Sequence, residues 1–283
     1  MTAGSLFCFG LGYSAGFLAR DLAGQGWMTA GTGREGASAP IALHRFARAH
    51  PLAAARDLLA DTTHLLVAIP PDATGCPVHD VHGADVVAAA GLRWIGYLSS
   101  TNVYGDRGGG WVDEATPLAP SGERGRRRAA AEAAWLALGR SSGIPVQVFR
   151  LAAIYGPGRS AIDALRAGTA RRIVKQGQVF SRIHVADLAA VLAASMARPR
   201  SGAIYNVCDD EPAPPDEVVG YAAALLGMPP PPLEDFAAAA LSPMARSFFD
   251  DSKRVSNRRI KDELGVTLRY PSYRDGLRSL LGA

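Results

Sequence analysis

Residues 10–16 have the composition of a phosphate-binding turn. They read Gly-Leu-Gly-Tyr-Ser-Ala-Gly, follow a short apolar run and open a helical pattern. Gly10 can make a tight turn, Gly12 lets backbone approach a pyrophosphate, and the small Ala15 permits close packing of helix on strand. The N–H groups and the partial positive charge of a helix start attract phosphate. The segment predicts dinucleotide binding, and the alternative is an ordinary strand–turn–helix with glycine caps. The predicted contacts are Gly10, Leu11, Gly12, Tyr13, Ser14 and Ala15.

The end of the second predicted strand bears on which dinucleotide is bound. It reads Thr32-Gly33-Arg34-Glu35, where NAD-preferring proteins place an acidic residue for the ribose 2′-OH. Arg34 would offer a planar, charged fork to a 2′-phosphate, so NADP is predicted over NAD. A register shift of one residue would give Glu35 the acidic role, and Arg34 as a solvated loop charge is a further alternative. The predicted cofactor contacts here are Thr32, Gly33 and Arg34, with Ile69 and Pro70 after the next strand.

Strand-like and helix-like segments alternate through the first half of the chain. The predicted strands cover residues 6–9, 27–32, 64–69, 93–99, 146–151 and 203–207. The predicted helices cover residues 15–23, 51–60, 81–90, 126–138, 161–167 and 185–196. The continuous apolar run of residues 64–69 is typical of a strand buried on both faces of a parallel sheet. The alternation predicts an α/β fold, with a doubly wound parallel Rossmann sheet and a small C-terminal substrate lobe.

Composition and charge limit the classes of partner that the protein is expected to bind. Of the 283 residues, 48% are hydrophobic and 20% are charged, with a net charge of +4, which is ordinary for a globular protein. A mild basic excess suits a phosphate-bearing ligand as well as a nucleic acid. The arginine cluster of residues 124–128 lacks interleaved aromatics and opens an Ala-rich helix. It is therefore predicted to be a helix face, with no nucleic-acid partner.

Cysteine usage and hydropathy indicate a cytoplasmic protein. Cys8, Cys76 and Cys208 are scattered, with no CxxC spacing, and so predict free buried thiols rather than disulfides or a metal site. No basic segment precedes the first apolar run, as a signal peptide would require. No stretch approaches the roughly 20 apolar residues of a membrane span, so no membrane partner is predicted.

Five further segments, in order along the chain, are similar to one family. Residues 99–106 read SSTNVYGD, and residues 114–120 read EATPLAP. Residues 150–159 read RLAAIYGPGR, residues 182–189 read RIHVADLA, and residues 205–212 read YNVCDDEP. Together with the glycine turn they resemble the extended short-chain dehydrogenase/reductases, the NAD-dependent epimerase/dehydratase group. The resemblance covers residues 6 to about 212.

The resemblance breaks at the two residues that do the family's chemistry. Family members carry a Tyr and, four residues later, a Lys; here those positions hold Arg124 and Arg128, and no YxxxK occurs in the chain. Arginine stays protonated and cannot act as a general base. The family's Ser/Thr falls at Ser100, next to Thr101. The catalytic candidates are therefore Ser100, Thr101, Arg124 and Arg128, and the chain resembles the atypical branch of the family.

The resemblance also implies ligand contacts. Ser100 and Arg128 are expected near the nicotinamide, and Ser99 and Ala153 are expected to bind the cofactor. Tyr104, Tyr155 and Arg182 are expected to contact a small substrate that is sugar-like or anionic; a surface position for Arg182 is the alternative. His184 and Asp187 have a metal-compatible spacing, but a structural role of the helix-start Asp is favoured, and no metal is predicted.

Two functions stay open from the sequence. The first is an NADP-dependent oxidoreductase or epimerase-like enzyme with an altered active site. The second is a non-catalytic NADP(H)-binding redox sensor or scaffold. Residues 1–158, completed by residues 181–210, are expected to bind the cofactor, and residues 159–180 and 211–283 are expected to form the substrate lobe. Family members commonly pair through helices beside the active site, which leaves a homodimer open.

Overall fold

A computed structural model describes residues 4–33 and 41–282. The strands are β1 (Ser5–Phe9), β2 (Met28–Gly33), β3 (Ala42–Arg45), β4 (His64–Val67), β5 (Trp94–Ser100), β6 (Trp111–Val112), β7 (Val146–Leu151), β8 (Ala153–Tyr155), β9 (Arg172–Val174), β10 (Arg182–His184), β11 (Ile204–Val207), β12 (Leu233–Asp235) and β13 (Arg254–Val255). The helices are α1 (Tyr13–Gly24), α2 (Ala55–Ala60), α3 (Pro77–Ala88), α4 (Glu123–Ser142), α5 (Ala161–Arg166), α6 (Val185–Ala197), α7 (Pro215–Leu225), α8 (Pro243–Ser247), α9 (Arg258–Leu264) and α10 (Tyr273–Ser279). A 3₁₀ turn covers Thr101–Tyr104.

A seven-stranded sheet has the order β11-β7-β5-β4-β1-β2-β3. Its central strands are parallel: Phe7 of β1 lies opposite Ala30 of β2 and Leu65 of β4. Strands β1 and β4 are almost wholly apolar and buried, as a strand covered on both faces must be. The doubly wound parallel α/β fold predicted from the sequence is confirmed.

Local differences from the predicted elements have local causes. The helix predicted over residues 51–60 begins only at Ala55, because Ala54 before it adopts a left-handed conformation with φ +51°. Strand β3 was not predicted. Its four residues end in His44 and Arg45 and form an edge of the sheet, where no second neighbour demands an apolar run.

The chain divides into two compact units. Residues 1–100, 126–150 and 189–205 form the first unit, and residues 101–125, 151–188 and 206–283 form the second. Residues 101–125, 151–158, 181–188 and 206–210, which are predicted from the sequence to belong to the cofactor-binding domain, lie in the second unit. The ligands assigned to the two domains stay predictions.

The first unit holds the larger core. Phe7, Phe9, Leu65 and Val67 pack there with Trp135 of α4. Cys8 and Cys76 in this unit and Cys208 in the second are buried free thiols, as predicted. No helix of the described chain is long and apolar enough to cross a membrane.

The second unit is built on short parallel pairs, β8 with β10, β9 with β12 and β6 with β13. Its main core joins Tyr155, Ile162 and Leu165 to the apolar faces of α7 and α10. Ser160 and Ser272 cap α5 and α10 with their side chains, which stabilises the start of both helices.

Candidate functional site

The glycine turn after β1 is held in one conformation. Gly10 has φ +92°, and a Cβ there would lie 2.8 Å from Cγ1 of Ile69, so this position requires glycine. The Gly10 N–H donates to Oγ1 of Thr32 at 2.9 Å, and the Leu11 N–H donates to the Thr32 carbonyl at 2.7 Å. The turn is thereby tied to the neighbouring strand.

Gly12 begins α1 and leaves space in front of it. It is the N-cap residue, with φ −90° and no side-chain cap. A Cβ on Gly12 would meet no described atom within 4 Å. The first turn of α1 contains no acidic residue, so no carboxylate of that turn competes for an anion at the helix start. Backbone N–H groups, open space and a positive helix end fit a pyrophosphate.

The other residues predicted to form the cradle have distinct roles. Ala15 is buried, as close helix–strand packing requires. The Tyr13 ring packs on Phe17 along α1, with ring centroids 5.2 Å apart. Ser14 is half-buried and Pro70 is exposed.

The end of β2 supports the turn. Thr32 is 1% exposed, and both of its oxygens accept from the turn. Thr32, predicted to contact the cofactor, is therefore a positioning residue. Gly33 lies against Leu43 of β3, where a Cβ would come within 3.0 Å. Arg34 and Glu35 lie outside the described residues, so the choice of NADP over NAD stays a prediction.

Ser99, at the end of β5, is engaged by a buried ion pair. Its hydroxyl donates to Oε1 of Glu132 on α4 at 2.5 Å. Glu132 in turn pairs with Arg150 of β7, with Oε2 2.8 Å from Nη2, and both side chains are under 5% exposed. Ser99 is predicted to bind the cofactor, and its hydroxyl is hydrogen-bonded to Glu132 within the first unit. This network is not predicted from the sequence, although a glutamate in an Ala-rich helix (Glu132) and an arginine in an apolar strand (Arg150) are its visible signals.

Arg128 lies against the same strand end. Its Nη1 donates to the Leu98 carbonyl at 2.7 Å, which fixes the guanidinium beside the last residues of β5. Ser100, which ends β5, is half-buried. Tyr97 does not replace the missing phenol as a base, because burial raises its pKa, an effect that Arg128 only partly opposes.

Arg124 and Thr101 belong to the second unit. Arg124 is exposed, and its guanidinium lies 5.2 Å from the centre of the Phe248 ring. This cation–π contact holds the Arg124 guanidinium beside Phe248, in the segment of residues 243–249. Thr101 is half-buried in the 3₁₀ turn.

Tyr104, expected to contact substrate, is a core residue. It is fully buried, and its hydroxyl donates to Oδ1 of Asn206 at 2.8 Å. The Tyr104 side chain therefore joins the 3₁₀ turn to β11 through this hydrogen bond. The hydrogen bond gives Tyr104 a structural role, and the substrate contact stays a prediction.

Tyr155 and Arg182 line one pocket in the second unit. The pocket has a volume of about 600 Å³. Its wall includes Tyr155, Arg182, Tyr273, Ala164, Val218 and Leu277. The Tyr155 hydroxyl donates weakly to the Ser272 carbonyl at 3.4 Å, and burial raises its pKa. Ala153 pairs with Arg182 between β8 and β10 and is exposed.

Asp187 has a structural role. Its two carboxylate oxygens accept from the N–H groups of Arg269 and Tyr270 at 2.7 and 3.0 Å. The His184 ring lies between Tyr155 and Tyr270, with ring-centre distances of 5.3 and 4.1 Å. Its Nδ1 accepts from the Ala186 N–H at 3.2 Å. Asp187 and His184 thus both contact the segment before α10 and have separate partners there.

Comparison with known proteins agrees with the motifs. The model of the NAD dependent epimerase/dehydratase family matches residues 79–208. A 3-diazoavenalumate denitrifying reductase from a Streptomyces species is 32% identical over 211 residues, which are 69% of this chain and 67% of that protein. Protein YeeZ of Escherichia coli K12 is 32% identical over 191 residues, which are 66% of this chain and 62% of YeeZ.

A solved structure extends the similarity to the whole chain. A conserved protein of unknown function from Silicibacter pomeroyi is 51% identical, with a TM-score of 0.89 and 99% of each chain covered. The motif order, the parallel sheet with its glycine turn, and these similarities agree on one assignment. The chain belongs to the NAD-dependent epimerase/dehydratase family, the extended short-chain dehydrogenase/reductases.

Proposed function

We propose that the protein is a nicotinamide-dependent oxidoreductase, or an epimerase-like enzyme, that binds NADP(H) at the glycine turn and acts on a small substrate. The observation that carries this is the turn itself. Gly10 is locked by Thr32 and Ile69, and Gly12 opens α1 onto free space. The family to which the chain belongs is NAD-dependent by description, and the Streptomyces relative is a reductase, which favours a redox reaction.

The residues of this chain would hold the cofactor and support the reaction by charge. Gly12 and the first turn of α1 would hold the pyrophosphate, and Arg34 the 2′-phosphate. When bound, a nicotinamide supplies or accepts a hydride. Arg128, which is hydrogen-bonded to the Leu98 carbonyl, would contact the nicotinamide ribose. Ser100 would contact the reacting oxygen.

Arg124 and Arg128 would act electrostatically. A permanent guanidinium can stabilise negative charge that develops on a substrate oxygen, but it cannot remove a proton. The chain is therefore best suited to steps in which the final proton comes from water or from the substrate itself. Dehydration, which needs an acid–base pair, is disfavoured.

A non-catalytic NADP(H) sensor is the second candidate. It is favoured by the loss of the Tyr–Lys pair and by the commitment of Ser99 to Glu132. Both candidates require nucleotide binding and differ in turnover. Oxidation of NADPH in the presence of any member of a panel of carbonyl or diazo compounds would support the enzyme. Binding without turnover across the panel would support the sensor.

The first experiment is calorimetric titration of the purified chain with NADPH, NADH, NADP and NAD. Gly12→Ala places a methyl group in the open space and should weaken binding of all four at least about tenfold. Gly24→Ala, at the other end of α1, is the matched control, because a Cβ there also meets no described atom within 4 Å.

Arg34→Ala tests the choice of dinucleotide. It should weaken NADPH binding while leaving NADH binding unchanged. Equal losses for both, or none, would contradict the NADP assignment. Failure of the parent to bind any of the four would refute both the enzyme and the sensor.

A further inference from the structure

The pocket of the second unit contains a buried cation. Arg182 is 9% exposed. Its Nη1 donates to the carbonyls of Phe180 and Ala213 at 2.8 and 3.0 Å. Among residues 4–33 and 41–282, no carboxylate forms an ion pair with it, and the hydrogen bonds of its side chain all come from Nη1. The guanidinium therefore retains N–H donors that the described residues do not use.

The carboxyl groups around Arg182 do not neutralise it. Asp209 is 1% exposed and forms no ion pair with Arg182 among the described residues, and burial raises its pKa, which favours the neutral carboxyl group. Its Oδ2 has no hydrogen-bond partner in the described part of the chain. Glu211 is engaged by Arg274, with Oε1 3.0 Å from Nε. A buried cation without a counter-charge is costly, and a ligand that supplies the charge offsets that cost.

The remainder of the pocket is suited to an organic body. Ala164 of α5, Val218 of α7 and Leu277 of α10 form an apolar wall. The Tyr273 hydroxyl is buried, and it too lacks a partner among the described residues. A mostly apolar pocket with a few convergent polar groups is the usual form of a small-molecule site.

We propose that this pocket binds a small organic carboxylate, whose charged group pairs with Arg182 and accepts from the Tyr273 hydroxyl while its apolar body lies against α5, α7 and α10. A carboxylate matches the planar donor edge of a guanidinium and supplies the single negative charge that one buried cation requires. As the substrate class of the enzyme, the assignment rests on the proposed function; binding in the pocket does not.

The test is calorimetric binding of acetate, hexanoate and phenylacetate beside their neutral amides. The longer acids should bind at least about tenfold tighter than the matching amides, the difference that one charge-assisted contact supports. Phenylacetate and hexanoate should also bind more tightly than acetate, because acetate lacks the apolar body. Equal affinity for acid and amide overturns the proposal. So does the absence of acid binding up to about 10 mM, where even very weak association is measurable.

Two variants place the binding in this pocket. Ala164→Phe fills pocket space from α5 and keeps the charge of Arg182, and it should weaken phenylacetate binding at least about tenfold. Ala224→Phe, at an exposed position on α7, is the matched control and should leave it unchanged. Binding that survives Ala164→Phe overturns the proposal.

Arg182→Gln tests the charge. It should remove the preference for acid over amide, whereas Arg258→Gln, at an 85% exposed side chain of the same unit, should keep it. Because Arg182 also donates to two backbone carbonyls, circular dichroism and thermal unfolding establish whether the variant folds. If it does not fold, the decision rests on Ala164→Phe and on the acid–amide pairs.

The Gly12→Ala variant separates this proposal from the proposed function. It should lose nucleotide binding and keep phenylacetate binding. Carboxylate selectivity in a parent that binds no nucleotide would refute the proposed function and leave the pocket assignment standing. Nucleotide binding without carboxylate selectivity would refute the pocket assignment alone.

Discussion

The Glu132 carboxylate and the Arg150 guanidinium form a salt bridge of 2.8 Å inside the first unit, with 3% and 4% of their side chains exposed. The hydroxyl of Ser99 donates to the same carboxylate. One ion pair therefore joins α4, β7 and the end of β5, the strand that leads to Ser100. The geometry around Ser100 depends on a charge pair that no ligand is expected to touch.

Breaking this pair from one side should be costly. Glu132→Gln removes the carboxylate charge that pairs with the buried Arg150 and should lower the free energy of unfolding by about 3–5 kcal/mol. Urea denaturation followed by fluorescence measures the change. Asp262→Asn, which removes an exposed partner of Arg258, is the control and should change stability by less than about 0.5 kcal/mol. A loss no larger than the control's would show that the buried pair does not stabilise the fold.

The two glycines of the turn should respond differently to alanine. Gly10→Ala forces a left-handed conformation on alanine and a Cβ against Ile69, and should destabilise the protein by about 1–3 kcal/mol. Gly12→Ala should fold as the parent does, because its φ of −90° is open to any residue, and should lose nucleotide binding. Thermal unfolding with and without NADPH separates the two. Equal destabilisation by both would mean that Gly12 has a structural role instead.

The hydrogen bond from Tyr104 to Asn206 should contribute to stability. Tyr104→Phe leaves Oδ1 of the buried Asn206 without its donor and should cost about 1–3 kcal/mol in chemical denaturation. Ligand affinities, extrapolated to the fully folded protein, should not change. A selective loss of substrate binding with normal stability would instead support the substrate role that is predicted from the sequence.

Asp209 should make the protein less stable as the pH rises. Its pKa is raised from 3.8 to about 8 by burial, with Asp210 and Glu211 adding to the effect and Arg182 opposing it. Between those pH values the native state retains a proton that the unfolded state has lost, so stability falls with increasing pH across that window. Asp209→Asn should flatten the fall in stability across this window in a series of denaturation curves at different pH. An unchanged slope would show that Asp209 ionises normally in the native protein.

His184 should act at acid pH with the opposite sign. Burial lowers its pKa from 6.5 to about 4, and the charge of Arg269 adds to the shift. As the pH falls from 6.5 to about 4, His184 becomes protonated in the unfolded chain but stays neutral in the native state. The free energy of unfolding therefore decreases. His184→Asn should reduce that loss, whereas the exposed His50→Asn should not. The same denaturation series measures both variants.

Local features of the sequence were sufficient for the fold and for the glycine turn. Gly10, Gly12 and Ala15 each meet a requirement that concerns the adjoining backbone, and a buried parallel strand such as β4 needs an uninterrupted apolar run. Such properties are readable from neighbours in the chain. The family motifs, which lie at the ends of these strands, were readable for the same reason.

Only the tertiary structure decided what several of the predicted side chains do. Thr32 holds a turn 22 residues earlier, Ser99 meets Glu132 33 residues later, and Tyr104 meets Asn206 102 residues later. Spacing and composition do not encode partners at such separations, because they depend on which strands become neighbours. Arg182 is the sharpest case. Its sequence position suggested a substrate contact or a surface charge, whereas the packing of α5, α7 and α10 around β8 and β10 makes it a buried cation lining a pocket.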